Sequence, residues 1–344
     1  MNKLNVCVLF GGVSSEHDVS LISAKGMINN LDREKYNVYP VGITKDGRWL
    51  LYTGDTEGIT SNAWLTEGKK AIISPDRQDS GLITEEGIIK IDVVLLALHG
   101  KNGEDGTIQG LLEIAGLKYT GAGVLSSALC MDKAMTKVFL NGFDIPQAEC
   151  LLFVKKAPAD MVEQVESKFT YPVFVKPSNG GSSCGAYKVH NREELITSVN
   201  SAFEYDSKVM VEEYIDAYEV DCGIIGNDEL GAGSLSRIVI ESETYDYETK
   251  YTPGMAFNEI PAQVSEETTE KITELAKKIY SLLDATGYGR VDFFVEKSTG
   301  RILFNELNSL PGFTPFSAFP SMWADKGVEY SDLLDKLINL ALER

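Results

Sequence analysis

Gly289-Arg290-Val291-Asp292-Phe293-Phe294-Val295-Glu296-Lys297-Ser298-Thr299-Gly300-Arg301-Ile302-Leu303-Phe304-Asn305-Glu306-Leu307-Asn308 reads as two alternating runs around a Ser-Thr-Gly turn. The spacing predicts a hairpin with strands over 290–295 and 301–308. A turn centred near Thr299 sets Asp292 opposite Glu306, with Asn308 two residues along on the same face. Like charges directly opposite one another destabilise a sheet, so an interior pair of carboxylates asks for a cation. An all-oxygen set with two carboxylates suits Mg²⁺ shared with substrate phosphates. Val291, Phe293 and Val295 on one face, and Phe294, Ile302 and Phe304 on the other, predict that both faces are partly buried, which argues against a solvated edge. Leu310-Pro311-Gly312-Phe313-Thr314 then ends the second strand, and its glycine lets the backbone approach a ligand.

The rest of the chain bounds what such a site can serve. Its 344 residues exceed one simple core and suit two or three domains, and 43% hydrophobic with 24% charged residues is ordinary for a globular protein. With 32 basic and 51 acidic residues the net charge is −19, which repels phosphate backbones and anionic bilayers. No nucleic-acid or membrane partner is expected, and any nucleotide must be met by local cations. The N-terminus runs straight into a strand without a leader pattern, and no apolar run reaches about 18 residues, so a soluble, cytoplasmic protein is expected. Cys7, Cys130, Cys150, Cys184 and Cys222 cluster neither with one another nor with His17, His99 or His190. They read as buried reduced thiols rather than zinc ligands or disulfides.

Strands over 4–10, 36–43 and 93–98, with helices over 19–30 and 107–115, predict an open, mostly parallel sheet in the first 120 residues. A new unit starts near Gly121, and a single helix over 126–141 would carry Lys133 and Lys137 on one face. Strand 171–176 leads through Pro177-Ser178-Asn179-Gly180-Gly181-Ser182-Ser183-Cys184-Gly185 into strand 186–189. Amides and hydroxyls of that loop can cradle phosphate, and Lys176 stands at its root as a phosphate-facing charge. The loop lacks the Walker pattern, and Gly11-Gly12 lacks Gly-x-Gly-x-x-Gly, which disfavours a dinucleotide site. A strand over 209–214, an acidic and aromatic loop over 241–255, a helix over 266–283 and a helix over 331–342 complete the chain. The last has a core-facing stripe at 333, 334, 337, 338 and 341. His99, with Gly100, Gly103, Glu104, Asp105 and Gly106, lies where open sheets bind ligands, although Asp105 would equally cap the next helix. Glu16 is open to the same two readings, since an acid at a helix start favours the macrodipole.

Eight motifs in order carry a resemblance that spans essentially the whole chain. They are Gly11-Gly-Val-Ser-Ser-Glu16-His-Asp-Val-Ser-Leu21, Leu98-His99-Gly-Lys-Asn-Gly-Glu104-Asp-Gly-Thr-Ile-Gln-Gly110, Met131-Asp-Lys133, Phe174-Val-Lys176-Pro, Gly181-Ser182-Ser183, Val211-Glu212-Glu213, Tyr245-Asp-Tyr-Glu-Thr-Lys250-Tyr251 and Glu306-Leu-Asn308-Ser-Leu-Pro-Gly312-Phe-Thr314. The chain resembles the D-alanine:D-alanine ligases of the ATP-grasp superfamily. The resemblance implies an α/β ATP-grasp fold of three α/β domains: a Rossmann-like substrate domain over 1–121, a central subdomain with a glycine-rich lid over 122–211, and a C-terminal subdomain with the metal site and a closing loop over 212–344. It implies ATP and two Mg²⁺ or Mn²⁺, two molecules of D-alanine as substrates, and a homodimer.

Residue by residue, it implies that Lys133 and Lys176 hold ATP phosphates, that Ser182 and Ser183 close the lid, and that Glu212, the Ile215 backbone and Glu219 receive adenine and ribose. Asp292, Glu306 and Asn308 would hold the metals. Glu16 would take the first substrate's ammonium with His99 nearby, and Arg290 with the Gly312 N–H would stabilise an oxyanion. Lys250, Ser317 and Tyr251 would organise the second substrate beside Ala318. The chain departs from the family's usual pattern at Pro315-Phe316-Ser317-Ala318 and at Ala217-Tyr218. A D-alanine:D-serine ligase is the nearest alternative, although such enzymes place an arginine at Ala318, and D-lactate ligases lack the Lys250-Tyr251 pair. A non-catalytic ATP sensor would have lost a metal ligand and none is missing. An NAD-dependent oxidoreductase lacks its fingerprint here.

Overall fold

The computed structural model describes residues 3–181, 184–240 and 256–344. Three sheets of eight, four and six strands each carry a hydrophobic cluster. The first begins from the uninterrupted apolar runs Val6–Phe10 and Val93–Leu96, which are buried throughout, as central parallel strands covered on both faces must be. Strand Leu4–Gly11 pairs in parallel with Tyr36–Ile43 and Val93–Leu96, and the latter with Lys118–Tyr119.

Past Tyr36–Ile43 the sheet turns antiparallel through Trp49–Leu51, Lys69–Ile73, Gly81–Thr84 and Gly87–Lys90. The expected mostly parallel sheet is therefore a mixed one. These added strands are three to five residues long with exposed Lys69, Lys70 and Lys90, too short and too polar to show a period of two. Their reversals are marked only by left-handed residues such as Gly47, Ser80 and Gly87. The final helix, Tyr330–Glu343, buries Leu333, Leu334, Leu337, Ile338 and Ala341, the stripe read from the sequence, and packs into this first core.

The second sheet runs Tyr187–Val189, Val173–Pro177, Lys208–Glu213, Cys150–Val154, antiparallel throughout. The single helix expected over 126–141 is two, Val124–Met131 and Lys133–Asn141. Asp132 breaks it: its backbone is extended, and its carboxylate accepts the Met135 N–H at 3.2 Å to cap the second helix. The third sheet centres on Ala217–Ile225, flanked by Ser236–Ile240 and Tyr288–Glu296, with Ala256–Glu259 and Ile302–Asn308 outside them. Helix Glu266–Leu282 covers it with Ile272, Ala276, Ile279 and Tyr280.

No disulfide joins the five cysteines, all of which lie among the described residues. Burial pushes the thiols of Cys7, Cys130 and Cys222 up to about 12, whereas Cys150 and Cys184 are only partly buried. Among the described residues no helix is long and apolar enough to cross a membrane.

Candidate active site

The hairpin forms as read, from Tyr288–Glu296 and Ile302–Asn308, and Asp292 pairs with Glu306 and Arg290 with Asn308. Its two halves differ in register. Phe293 faces Phe304 rather than Asn305, so Asn305 is an extra residue in a bulge. The bulge overturns one expectation: Ile302 and Phe304 lie not opposite Val291, Phe293 and Val295 but in the same cluster, with the Phe293 and Phe304 rings edge to face at 6.4 Å. It also re-aims Asn305, whose side-chain oxygen accepts from Lys176 Nζ at 3.4 Å. Beyond the bulge the acids keep their shared face, and Asn308 Nδ2 donates to Asp292 Oδ2 at 2.8 Å.

Cations converge on these acids. Arg290 donates from Nε and Nη2 to the two oxygens of Asp292, each at 2.7 Å, and its Nε lies 3.5 Å from Asp221. Burial works against the guanidinium's charge, yet Asp292 and Asp221 hold its pKa well above the ordinary value. Lys133 Nζ is 3.0 Å from Glu306 and donates to the Gly180 carbonyl at 2.7 Å. Burial disfavours that ammonium too, but Glu306 raises its pKa overall. Glu212, expected beside adenine and ribose, bridges Lys137 and Lys176 at 2.7 Å each. Burial alone would raise its carboxyl; the two lysines bring it down to about 2.

The N-terminal side is set by backbone that only glycine fills easily. Gly11 and Gly12 have φ of +83° and +97°, and a Cβ at Gly11 would sit 2.3 Å from the Ile43 carbonyl. After this turn Ser20 Oγ accepts from Gly11 N at 2.7 Å and donates to Ala97 O at 2.6 Å, tying two strand ends together. Glu16 precedes helix His17–Asn30. Its carboxylate lies so close to two loops that a Cβ at Gly100 or Gly181 would stand 2.4 or 2.7 Å from Glu16 Oε2. His99 meets Ser23 Oγ through Nε2 at 2.9 Å and Glu104 through Nδ1 at 3.6 Å. Burial disfavours the imidazolium, while Glu104 and Glu16 raise the pKa overall. Asp105 accepts the backbone N–H groups of Asn102 and Thr107, which makes it an organiser of its loop.

At the far end, Ser317 Oγ accepts from Thr314 N at 3.0 Å and lies 2.9 Å from Thr314 Oγ1. A Cβ at Gly312 would stand 2.7 Å from that same Oγ, and Ala318 is buried behind it. One cavity of about 830 Å³ is lined by every described residue to which the resemblance gives a role, but not by Asp105 or Lys137. Ser182, Ser183, Lys250 and Tyr251 fall outside the described residues.

With this geometry in view, similarity to known proteins decides the family. The family models for the N-terminus and the C-terminus of D-ala D-ala ligase match residues 5–122 and 139–339. The D-alanine–D-alanine ligase of Caldicellulosiruptor bescii is 47% identical over 100% of this chain and 96% of its own length. The chain belongs to the D-alanine–D-alanine ligase family. Among solved structures, the VanG D-Ala:D-Ser ligase of Enterococcus faecalis is 40% identical with a TM-score of 0.91, covering 99% of this chain and all of that one. The D-alanine-D-alanine ligase of Coxiella burnetii is 32% identical with a TM-score of 0.90, covering 100% of this chain and 95% of that one. The fold is thus the α/β ATP-grasp fold of these ligases.

Within this ligase fold, the donor chemistry at the hairpin fits a hard divalent ion. Two carboxylates and an amide oxygen are too few to enclose it and leave positions for phosphate oxygens and water. Among the described residues no group of three or more His, Cys, Asp and Glu is placed to hold a metal by itself. Lys133 and Arg290 already bring positive charge to Glu306 and Asp292.

Several residues escaped the sequence reading. Asp221 is a buried acid whose Cα partner across the sheet is Asp292. The alternation of Glu219 and Asp221 with buried Val220, Cys222 and Ile224 was the signal that could have revealed it. Asn305 had none, because a bulge leaves no mark on the pattern. Asp132 also ties Lys208, by an ion pair, and Ser178 Oγ, at 2.5 Å, to the start of the lysine-bearing helix.

Proposed function

We propose that the chain joins two molecules of D-alanine into D-alanyl-D-alanine, consuming ATP and releasing ADP and phosphate, for peptidoglycan precursors of the cell wall. The observation that carries this reading is the single cavity onto which the lysines, the paired acids, Glu16 and the Gly312 loop all open. Lys133 and Lys176 would take ATP phosphates with Ser183, while Glu212, the Ile215 backbone and Glu219 would receive adenine and ribose. Asp292, Glu306 and Asn308 would hold two Mg²⁺ or Mn²⁺, which when bound neutralise phosphate charge and orient its oxygens.

A carboxylate is a poor electrophile, so it must first be activated. The carboxylate oxygen of the first D-alanine, whose ammonium Glu16 holds beside His99, attacks the γ-phosphorus. The bond from that phosphorus to the bridging oxygen breaks, and ADP leaves with the electron pair. The neutral amine of the second D-alanine then attacks the acyl carbon, while Arg290 and the Gly312 N–H stabilise the oxyanion that develops. Collapse expels inorganic phosphate, and the nitrogen loses its proton to leave the amide. Lys250 and Ser317 would seat the second substrate beside Ala318, with Tyr251 linking Ser182 to Glu16. Acyl phosphates hydrolyse, so water must be excluded, a task the resemblance gives to segments 180–185 and 241–255.

The need for ATP puts the reaction in the cytoplasm. A homodimer, which the resemblance implies, is supported by the exposed apolar side chains of Leu125, Val138 and Phe139, the kind of residue that a partner surface covers. A D-serine acceptor is the second reading, favoured by the likeness to the D-Ala:D-Ser ligase. The deciding experiment is ATP-dependent phosphate release with D-alanine alone and with equimolar D-serine or D-lactate added, the products identified by mass. D-alanyl-D-alanine as the main product supports the reading. Mostly D-alanyl-D-serine overturns the acceptor but not the ligase, and no D-amino-acid-dependent phosphate release overturns both.

A further inference from the structure

We propose that Asp221 is a positioning residue that keeps Arg290 in place when Asp292 turns to metal, an inference that rests on the ligase reading above. Asp221 lies directly across from Asp292, and Asp292 across from Glu306, so three carboxylates form a row over three adjacent strands. Asp221 is 2% exposed, and a carboxylate so buried is retained only against a partner. Arg290 is such a partner, its Nε 3.5 Å from Asp221 Oδ2. The same guanidinium forms the shorter, two-pronged pair with Asp292 at 2.7 Å.

Two demands therefore meet on Asp292. Arg290 takes both of its oxygens and Asn308 a further lone pair of Oδ2, yet the donor set makes Asp292 a metal ligand. Oδ1 takes one of these three bonds and Oδ2 two, so ligation falls to Oδ1, where it draws negative charge from the carboxylate and weakens the two-pronged pair. A half-buried guanidinium with its main anion drawn to metal would swing away from the oxyanion it serves unless a second carboxylate beside it held it. Asp221 removes the conflict: closing from 3.5 Å to an ordinary charged hydrogen bond of about 2.8 Å needs less than one bond length of movement. Its strand position also fits, since Glu219 and Asp221 alternate with buried Val220 and Cys222 and line the cavity. Asp221 thus acts on the metal through Arg290, not by touching it.

The test is Mn²⁺ binding to the enzyme with ADP, followed by electron paramagnetic resonance, for wild type, D221N, R290Q and the double variant. D221N is expected to weaken Mn²⁺ by about tenfold, and the same change in the R290Q background by less than about twofold, the non-additivity of a pair acting as one unit. Binding of ADP without metal should be unchanged by D221N. Wild-type Mn²⁺ affinity in D221N overturns the proposal, as does a full penalty that persists in R290Q, which would make Asp221 a direct contributor to the metal's field. Failure of the wild type itself to bind Mn²⁺ with ADP overturns the metal reading as well and is told apart by that. Should D221N not fold, D221S removes the carboxylate with a smaller side chain and is judged by the same outcomes.

Discussion

The two ends of the cavity are built differently. At the proposed ATP end, Lys137, Glu212 and Lys176 are almost wholly buried and lie on a helix and on two paired strands. At the proposed acceptor end, Gly312, Thr314 and Ser317 sit in a short irregular segment held by hydroxyl hydrogen bonds, and Phe316 beside them is 89% exposed. The first end fixes charge in low dielectric, where a misplaced ion is costly. The second fixes shape with neutral bonds each worth about 1 kcal/mol. Substitutions at the ATP end should therefore cost fold and nucleotide together, and those at the acceptor end should alter selectivity with little loss of stability.

The largest effect is expected at Glu212. Glu212→Gln leaves two buried ammonium groups facing a neutral amide and should destabilise the chain by about 3–5 kcal/mol, measured by urea unfolding at pH 7. The pH dependence has a definite sign. The Glu212 carboxyl is depressed in the folded chain from its ordinary 4.5 to about 2, so its stabilisation is complete above 4.5 and disappears as pH falls towards 2. The gap between wild type and variant should narrow over that window, and a gap constant with pH would show that the loss has another origin.

Lys176→Met comes next. It removes one of the two lysines from Glu212 and the donor to Asn305, and should weaken ATP binding by about 1.5–3 kcal/mol in calorimetry while Lys137 still neutralises Glu212. Unchanged affinity would move the nucleotide elsewhere. Asp132→Asn tests the same end one step further out. The carboxylate caps the helix carrying Lys133, accepts from Ser178 and pairs with Lys208. Its loss should raise the KM for ATP by about tenfold, near the weight of one charged hydrogen bond, and leave the KM for the acceptor alone. An equal rise in both would mean general loosening.

The contrast between the ends also explains how much of each was legible in the sequence. The hairpin, the Asp292–Glu306 pairing and the stripe of the last helix were legible because each follows from periodicity and turn chemistry over seven or more residues. The antiparallel half of the first sheet was not, because strands of three to five residues carry too few alternations. The break at Asp132 is a local bond outcompeting a helical pattern, and the bulge at Asn305 depends on cross-strand register, which only tertiary packing decides. At the ATP end Lys176 came from charge at a strand end, whereas Glu212, Ile215 and Glu219 came through the resemblance. At the acceptor end Gly312 was read from its place after the strand, while Ser317 and Ala318 came only through the resemblance, and there the chain departs from the family's pattern, at Pro315-Phe316-Ser317-Ala318.

The smallest effect is expected at Ser317. Its hydroxyl accepts from the Thr314 backbone and contacts the Thr314 side chain, so Ser317→Ala should cost about 0.5–1.5 kcal/mol of stability and leave the KM for ATP unchanged. What should change is the competition between acceptors. Ala318 is small and buried behind the loop, and a pocket without a dedicated partner rejects an added hydroxyl only modestly, by a factor of up to about 10². The wild type should therefore favour D-alanine over D-serine by less than that. The Ser317 hydroxyl, already engaged by Thr314, is a shared rather than a dedicated partner for a serine side chain, so its removal should move the ratio further towards D-alanine, by at most about threefold to tenfold on the scale of one neutral hydrogen bond. Initial rates with equimolar D-alanine and D-serine, products resolved by mass, measure it. A ratio that moves towards D-serine, or a KM for ATP that rises with it, would mean that the two ends are not independent and that the loop transmits its shape to the nucleotide.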